Sequence, residues 1–212
     1  PATRTRLIVV DATAYGREPS GAKRRAIELL RRLPALLPDD VFEVHWAKDG
    51  GGPPEGLANP VLTRADVGDV PAKFVADPFM LREGDTWYMF FEIFNGRRGQ
   101  AEIGLATSHD GLRWDYQRVV LAEPFHLSYP YVFRSGDDHY MIPESYQAGA
   151  VRLYRARRFP TQWSYVKRLL RGPLFVDSSV FCVDGQWWLL TETNLAFKCD
   201  TLRLFRAPHL TG

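Results

Sequence analysis

Six acidic or phenolic side chains recur at matched places: Asp77 with Glu92, Tyr129 with Glu144, and Asp177 with Glu192. Each glutamate lies 15 residues after its partner, and an aromatic (Tyr88, Tyr140 or Trp188) lies 11 residues after it. The surrounding stretches, 76–92, 128–144 and 176–192, are copies of one another. Carboxylates gathered at one cleft suit the cleavage of a glycosidic bond. One activates water or attacks the anomeric carbon, and a second, protonated, gives its proton to the leaving oxygen. Crowding raises one pKa relative to the other and separates the two roles. His126, Ser128 and Tyr129 stand just before the second copy's first strand. They add the polar groups and the aromatic face that hold sugar hydroxyls and C–H surfaces. The candidate catalytic residues are therefore Asp77, Asp177 and Glu144. The candidate substrate-binding residues are Glu92, His126, Ser128, Tyr129 and Glu192.

Plainer readings stand beside these. A glutamate repeated in every copy can serve to accept neighbouring backbone amides or to pair with arginines. Asp77, before Pro78, can cap a turn. Trp187 and Trp188 read as packing residues, and His109 and His139 as turn and surface residues.

A repeat of about 50 residues built from short strands is the pattern of propeller blades. Each copy opens with a mixed apolar and aromatic strand, then a Gly/Asp turn at 83–85, 135–138 or 184–186. A second strand runs to the glutamate. The third strand carries 102–106, 151–156 or 202–207, and its alternation is expected to put arginine on one face and Leu, Tyr or Phe on the other. Trp114 and Trp163 follow Ala106 and Ala156 by eight and seven residues, before fourth strands at 118–121 and 166–170. The matching tryptophan of the third copy would fall near 214 or 215, past Gly212. Three blades do not close a ring, so the sequence reads as a piece of a longer protein or as one that closes with a second chain. In a propeller the first strand of each blade lines the central channel. Asp77, Tyr129 and Asp177 should therefore share one ring, with the three glutamates at the same rim or further out.

The 212 residues are 45% apolar, 25% charged and 13% aromatic, with net charge +2. No whole-molecule field favours nucleic acid. The basic cluster Lys23, Arg24, Arg25, Arg31 and Arg32 reads as a solvated helix face. Cys182 and Cys199 lack CxxC spacing and nearby histidines, so zinc is not expected and two free thiols are. No cofactor motif is present. No apolar run approaches 18 residues, so no membrane span is expected. The first residues lack a signal-peptide pattern, which predicts a cytoplasmic protein or a targeting segment elsewhere.

Residues 1–70 follow a different pattern. Strands at 7–11 and 42–46 flank a helix from Ser20, its N-cap, to about Leu33. Ala26, Leu29, Leu30 and Leu33 form its apolar stripe. A loop at 49–56 and a short strand at 60–63 complete a βαβ segment. Val10, Asp11, Ala12, Ser20, Gly21, Ala26, Leu29 and Leu30 resemble the start of family 4 glycosyltransferases over about 1–65. That resemblance implies an acceptor-side lobe, but the second lobe that holds a sugar nucleotide has no counterpart here.

The segments 75–79, 90–92, 126–130, 141–145, 153–156 and 187–191 resemble, as a set, the N-terminal domains of glucosamine inositolphosphorylceramide transferases and their bacterial relatives. Those domains are similar to the five-bladed propellers of family 43 and family 32 glycoside hydrolases. Over about 71–212 the resemblance implies a mainly β fold. It would be a partial five-bladed propeller with about three blades present, preceded by the βαβ segment. It matches Asp77 to the water-activating base and Asp177 to the aspartate that tunes the acid, and it places the usual acid beyond Gly212. Glu144 is the substitute acid within this chain. Tyr129, where the second blade could carry an aspartate, departs from the hydrolase pattern. The implied partner is a glycan or glycolipid. Either the chain acts on it, as part of a glycosyltransferase-associated protein, or it serves as a non-catalytic glycan-recognition or scaffolding domain.

Overall fold

The computed structural model describes residues 4–11, 40–47, 60–196 and 200–211. Strands β1 (Arg4–Asp11) and β2 (Asp40–Ala47) pair in parallel, with Val9 opposite His45. A parallel pair needs a crossover connection. The helix expected from Ser20 to Leu33, its basic cluster, the loop at 49–56 and Cys199 lie outside the described residues. The strand expected at 60–63 does not form. The Thr63 hydroxyl accepts the Ala65 N–H, and the Asp66 carboxylate accepts the Thr63 N–H at 2.7 Å. This reciprocal cap turns the chain into a 3-10 turn, Arg64–Asp66, instead.

The remainder is mainly β, in three antiparallel sheets laid down in chain order. The first holds β3 (Ala72–Glu83), β4 (Thr86–Asn95), β5 (Gln100–Ser108) and β6 (Asp115–Leu121). The second holds β7 (Ser128–Ser135), β8 (Asp138–Glu144), β9 (Ala150–Arg158) and β10 (Gln162–Arg171). The third holds β11 (Val176–Val183), β12 (Gln186–Glu192) and β13 (Leu202–Ala207). Two four-stranded sheets and one of three strands thus arise where the repeats predict blades, but the described residues do not close a ring. The hairpin turns take the expected chemistry. Asp184 and Gly185 both sit at positive φ, as a two-residue type I′ turn requires.

Strand periodicity sends alternate residues to opposite faces, and the first sheet is apolar on both. Phe90, Ile103 and Leu105 pack on Leu127, Val132, Met141 and Tyr154 of the second copy. Ile142, Val151 and Leu153 meet Val180 and Leu189 of the third sheet. The opposite face of the first sheet, with Met89, Phe91 and Ile93, is covered by the strap 60–72 through Leu62, Val67, Val70 and Ala72. Asp69 pins that strap by accepting the Tyr116 hydroxyl and the Val119 N–H. Burying each such side chain contributes about 1.5–3 kcal/mol.

Two expectations are corrected. Arg152 and Arg155 do not share a face. They are three residues apart, so a strand of period two points them apart. Arg152 lies over the Tyr165 ring at 4.2 Å, whereas Arg155 pairs with Asp138 at 2.6 Å. His139 is not a surface residue. Its Nε2 lies 2.9 Å from Glu83 and its ring stacks on Phe159 at 3.9 Å, which ties the first sheet to the second.

Candidate functional site

The same irregularity interrupts the first strand of every sheet. Pairing breaks between Ala76 and Phe79, between Ser128 and Tyr131, and between Val176 and Ser179. At each break one residue is left-handed: Asp77 at φ +50°, Tyr129 at +43° and Asp177 at +51°. Non-glycine residues seldom adopt this backbone, and a bulky one such as tyrosine is a true outlier. Each strained position costs about 1–3 kcal/mol and persists only where its surroundings enforce it. The bulge re-aims the side chain out of the ladder. The closing glutamate lies across the ladder from the residue just before each kink: Glu92 opposite Ala76, Glu144 opposite Ser128 and Glu192 opposite Val176.

The kinks are linked from sheet to sheet. The Tyr129 N–H donates to Asp77 Oδ2 at 3.2 Å. The Asp177 N–H donates to Glu144 Oε2 at 3.1 Å. The Tyr129 ring meets Phe79 edge-on at 4.6 Å, and its phenol lies 3.4 Å from the Ser179 hydroxyl. The Tyr131 hydroxyl donates to the Val180 carbonyl at 2.7 Å. Each kink is thus tied to the next inner strand or to its glutamate: Asp77 to Tyr129, and Asp177 to Glu144.

Glu144 ends β8 as a half-buried carboxyl. Burial pushes its pKa up to about 7, and the Asp177 charge adds to the rise. Their carboxyl groups also hydrogen-bond each other, while a bond from the buried Ser128 hydroxyl pulls the other way. Two carboxyl groups this close disfavour double ionisation, which is the direction of the rise at Glu144.

His126 is held on three sides. Its ring Nδ1 accepts the Ala101 N–H at 3.2 Å, so the neutral ring carries its proton on Nε2. That nitrogen lies 3.3 Å from Glu92 Oε1, and Glu92 is only 6% exposed. The His126 backbone N–H donates to Gln147 Oε1 at 3.1 Å. Glu92 pulls the imidazole pKa up, burial opposes it, and the charges of Glu144 and Asp77 add to the upward pull. A proton on Nδ1 would point at the Ala101 amide, so charging the ring breaks that bond.

Glu192 is arranged differently. It is 1% exposed, and its carboxylate accepts the N–H groups of Thr193 at 2.8 Å, Asn194 at 2.6 Å and Thr201 at 2.9 Å. It ties the β12–β13 connection, as the plainer reading of a repeated glutamate expects.

Of the eight candidates, Asp77, Tyr129, Ser128, Glu144 and Asp177 are joined by direct bonds. Glu92 and His126 form a neighbouring pair, and Glu192 serves its own loop. Three contributors were not singled out from sequence: Phe79, Gln147 and Ser179. Phe79 and Ser179 occupy matched places two residues after the kinks, which was the available signal. Gln147 had none. Among the described residues no cluster of three His, Cys, Asp or Glu could hold a metal ion. No helix there is long and apolar enough to cross a membrane. Cys182 is an exposed free thiol.

The fold is shared with carbohydrate-active enzymes. The chain is similar to the exo-beta-1,3-galactanase of Phanerochaete chrysosporium, with TM-score 0.55 and 15% identity, over 66% of this chain and 34% of that one. It is also similar to a family 43 glycoside hydrolase of Bacillus licheniformis, with TM-score 0.52 and 16% identity, over 72% and 31%. A third likeness is the alpha-L-arabinanase of Cellvibrio cellulosa, with TM-score 0.51 and 12% identity, over 66% and 54%. In sequence the chain is 43% identical over 185 residues to glucosamine inositolphosphorylceramide transferase 1 of Oryza sativa subsp. indica. It is 39% identical over 155 residues to the Arabidopsis thaliana protein of the same name. These alignments cover 86% and 72% of this chain but only 25% and 20% of those proteins, so the chain spans a quarter or less of the relatives it matches. Residues 38–204 match the family described as glucosamine inositolphosphorylceramide transferase 1, N-terminal, and the chain belongs to that family.

Proposed function

We propose that the chain is part of a glycan-processing propeller, in which residues 71–212 supply three of five blades and residues 1–70 form a βαβ segment beside them. What supports this reading is that Glu144, whose pKa burial and the Asp177 charge push up to about 7, accepts the Asp177 N–H at 3.1 Å, while Asp77 accepts the Tyr129 N–H at 3.2 Å. Glycosidic cleavage needs a carboxyl that keeps its proton near neutrality beside another that takes one up. Asp77 acts as the base that accepts a proton from the attacking water. The Glu144–Asp177 pair gives its proton to the leaving sugar oxygen, and Asp177 tunes that acid. Ser128 orients Glu144. Tyr129 offers an aromatic edge to the sugar and, through its N–H, orients Asp77. Glu92 and His126 fix the rim.

A second reading, a non-catalytic glycan-recognition domain of a glycosyltransferase, is favoured by Tyr129, which stands where the other two copies carry aspartate. A glycan array followed by a turnover assay on the bound glycans separates them. For the enzyme, Asp77→Asn lowers turnover by about 10²–10⁴-fold and leaves binding in place. Binding without turnover by the unaltered protein, with Asp77→Asn changing affinity only, supports recognition and ends the catalytic reading. No glycan binding at all ends both.

A further inference from the structure

A row of rings at the rim takes no part in the carboxylate chemistry. Phe74, three residues before Asp77, stacks on Phe94, two residues after Glu92, with centroids 5.1 Å apart and planes at 28°. Phe94 in turn meets the His126 ring at 6.2 Å and 52°. His126 holds the same repeat place in the second copy as Phe74 in the first, and Tyr146 the same place as Phe94. The third copy has Leu174 and Asn194 there. Leu174 is buried, and the Asn194 side-chain amide donates to Asp200. Packing does not account for the row. Phe74 is 45% exposed, and among the described residues neither Phe74 nor Phe94 belongs to the apolar clusters that join the sheets. A single exposed ring is ordinary, but this stacked pair runs into a buried carboxylate, since His126 Nε2 lies 3.3 Å from Glu92 Oε1. The charges of Glu144 and Asp77 also reach the imidazole.

We propose that Phe74, Phe94 and His126 form an outer sugar subsite, where a neutral pyranose stacks its C–H face while the next unit of the same glycan lies at the carboxylates. The negative face of an aromatic ring attracts the weakly positive C–H groups of a sugar, and polar groups beside it take the hydroxyls. Both parts are present. The Lys73 ammonium lies 5.7 Å from the Phe94 centroid, and its stem passes over Gly96, where a Cβ would come within 3.2 Å of the lysine Cε. Gln147 is exposed and accepts the His126 backbone N–H through Oε1, and its amide nitrogen carries two further donors. An acyl chain laid here would strip water from the ammonium and the amide without replacing it, which favours a hydroxylated ring. The subsite rests on the glycan reading proposed above and adds to it a preference for length.

Calorimetric titration of the protein with a panel of neutral mono- to tetrasaccharides tests it, with decanoate as the apolar control. The expected result is tighter binding of the longer sugars. Phe74→Ala should weaken them about three- to tenfold and leave the monosaccharides unchanged. Phe74→Leu, apolar but without a ring face, should lose as much, and Phe74→Trp should keep the parent affinity. Phe74 is exposed, so all three variants should melt near the parent Tm. Longer sugars bound equally well by Phe74→Ala, or by Phe74→Leu, would overturn the subsite and leave the glycan reading standing. Decanoate binding that falls in Phe74→Ala while sugar binding stays would overturn it in favour of an acyl chain. No sugar bound by the unaltered protein would end the subsite together with the glycan reading.

Discussion

Glu144 and Glu192 occupy the same place in two successive sheets and live in opposite surroundings. Glu192 is buried, and three backbone N–H groups of its own loop donate to its carboxylate. Glu144 is half-buried against another carboxyl, and desolvation together with that neighbour raises its pKa to about 7. Repetition thus fixes where a side chain stands, and the next loop along decides what it does. The second sheet keeps its glutamate for its neighbour, while the third uses it to tie its own connection.

The largest effect that sharpens this contrast is at Glu192. Glu192→Ala removes the acceptor for three amides, so stability should fall by about 2–4 kcal/mol in urea unfolding. A loss under 1 kcal/mol would mean that the loop does not depend on it. Glu144→Gln should act the other way. The folded protein keeps a proton that the unfolded chain releases between pH 4.5 and about 7. Stability from this group is therefore complete below pH 4.5 and is lost as pH rises to about 7, a change on the order of 3 kcal/mol. Glu144→Gln should flatten that slope and make the protein at pH 8 no less stable than the parent. A slope unchanged in the variant assigns the proton to another group.

Smaller effects follow at the neighbouring pair. His126→Ala leaves the Ala101 amide and the Glu92 carboxylate without their partner, at a cost of about 1–3 kcal/mol in thermal unfolding. His126→Gln, which keeps a donor, should recover part of it. Smallest is Tyr129→Phe, which loses a 3.4 Å contact from the phenol to Ser179, so Tm-derived stability should move by less than about 0.5 kcal/mol. A larger loss would make the phenol a structural link between the second and third sheets.

The three kinks were legible as places before they were legible as geometry. Asp77-Pro78, Tyr129-Pro130 and Asp177-Ser178 stand at one repeat position, and the hairpin glycines and the fourth strands marked the sheets around them. What sequence could not supply was pairing across sheets. That Tyr129 gives its N–H to Asp77, or that both ring nitrogens of His126 are engaged, depends on how one sheet leans on the next. Local chemistry also overruled pattern at 60–63, where Thr63 and Asp66 capped a turn that the apolar residues alone had suggested as a strand. His139 was misread because a lone histidine beside a hairpin carries no sign of the Phe159 ring that covers it.

The strap that Asp69 fastens gives the stack of sheets a direction. Leu62, Val67 and Val70 pack on Met89, Phe91 and Ile93 of the first sheet, and a cleft lined by Leu62, Val75, Met89 and Phe91 stays open beside them. Any further sheet that stacks on this face must therefore dock on the strap or displace it.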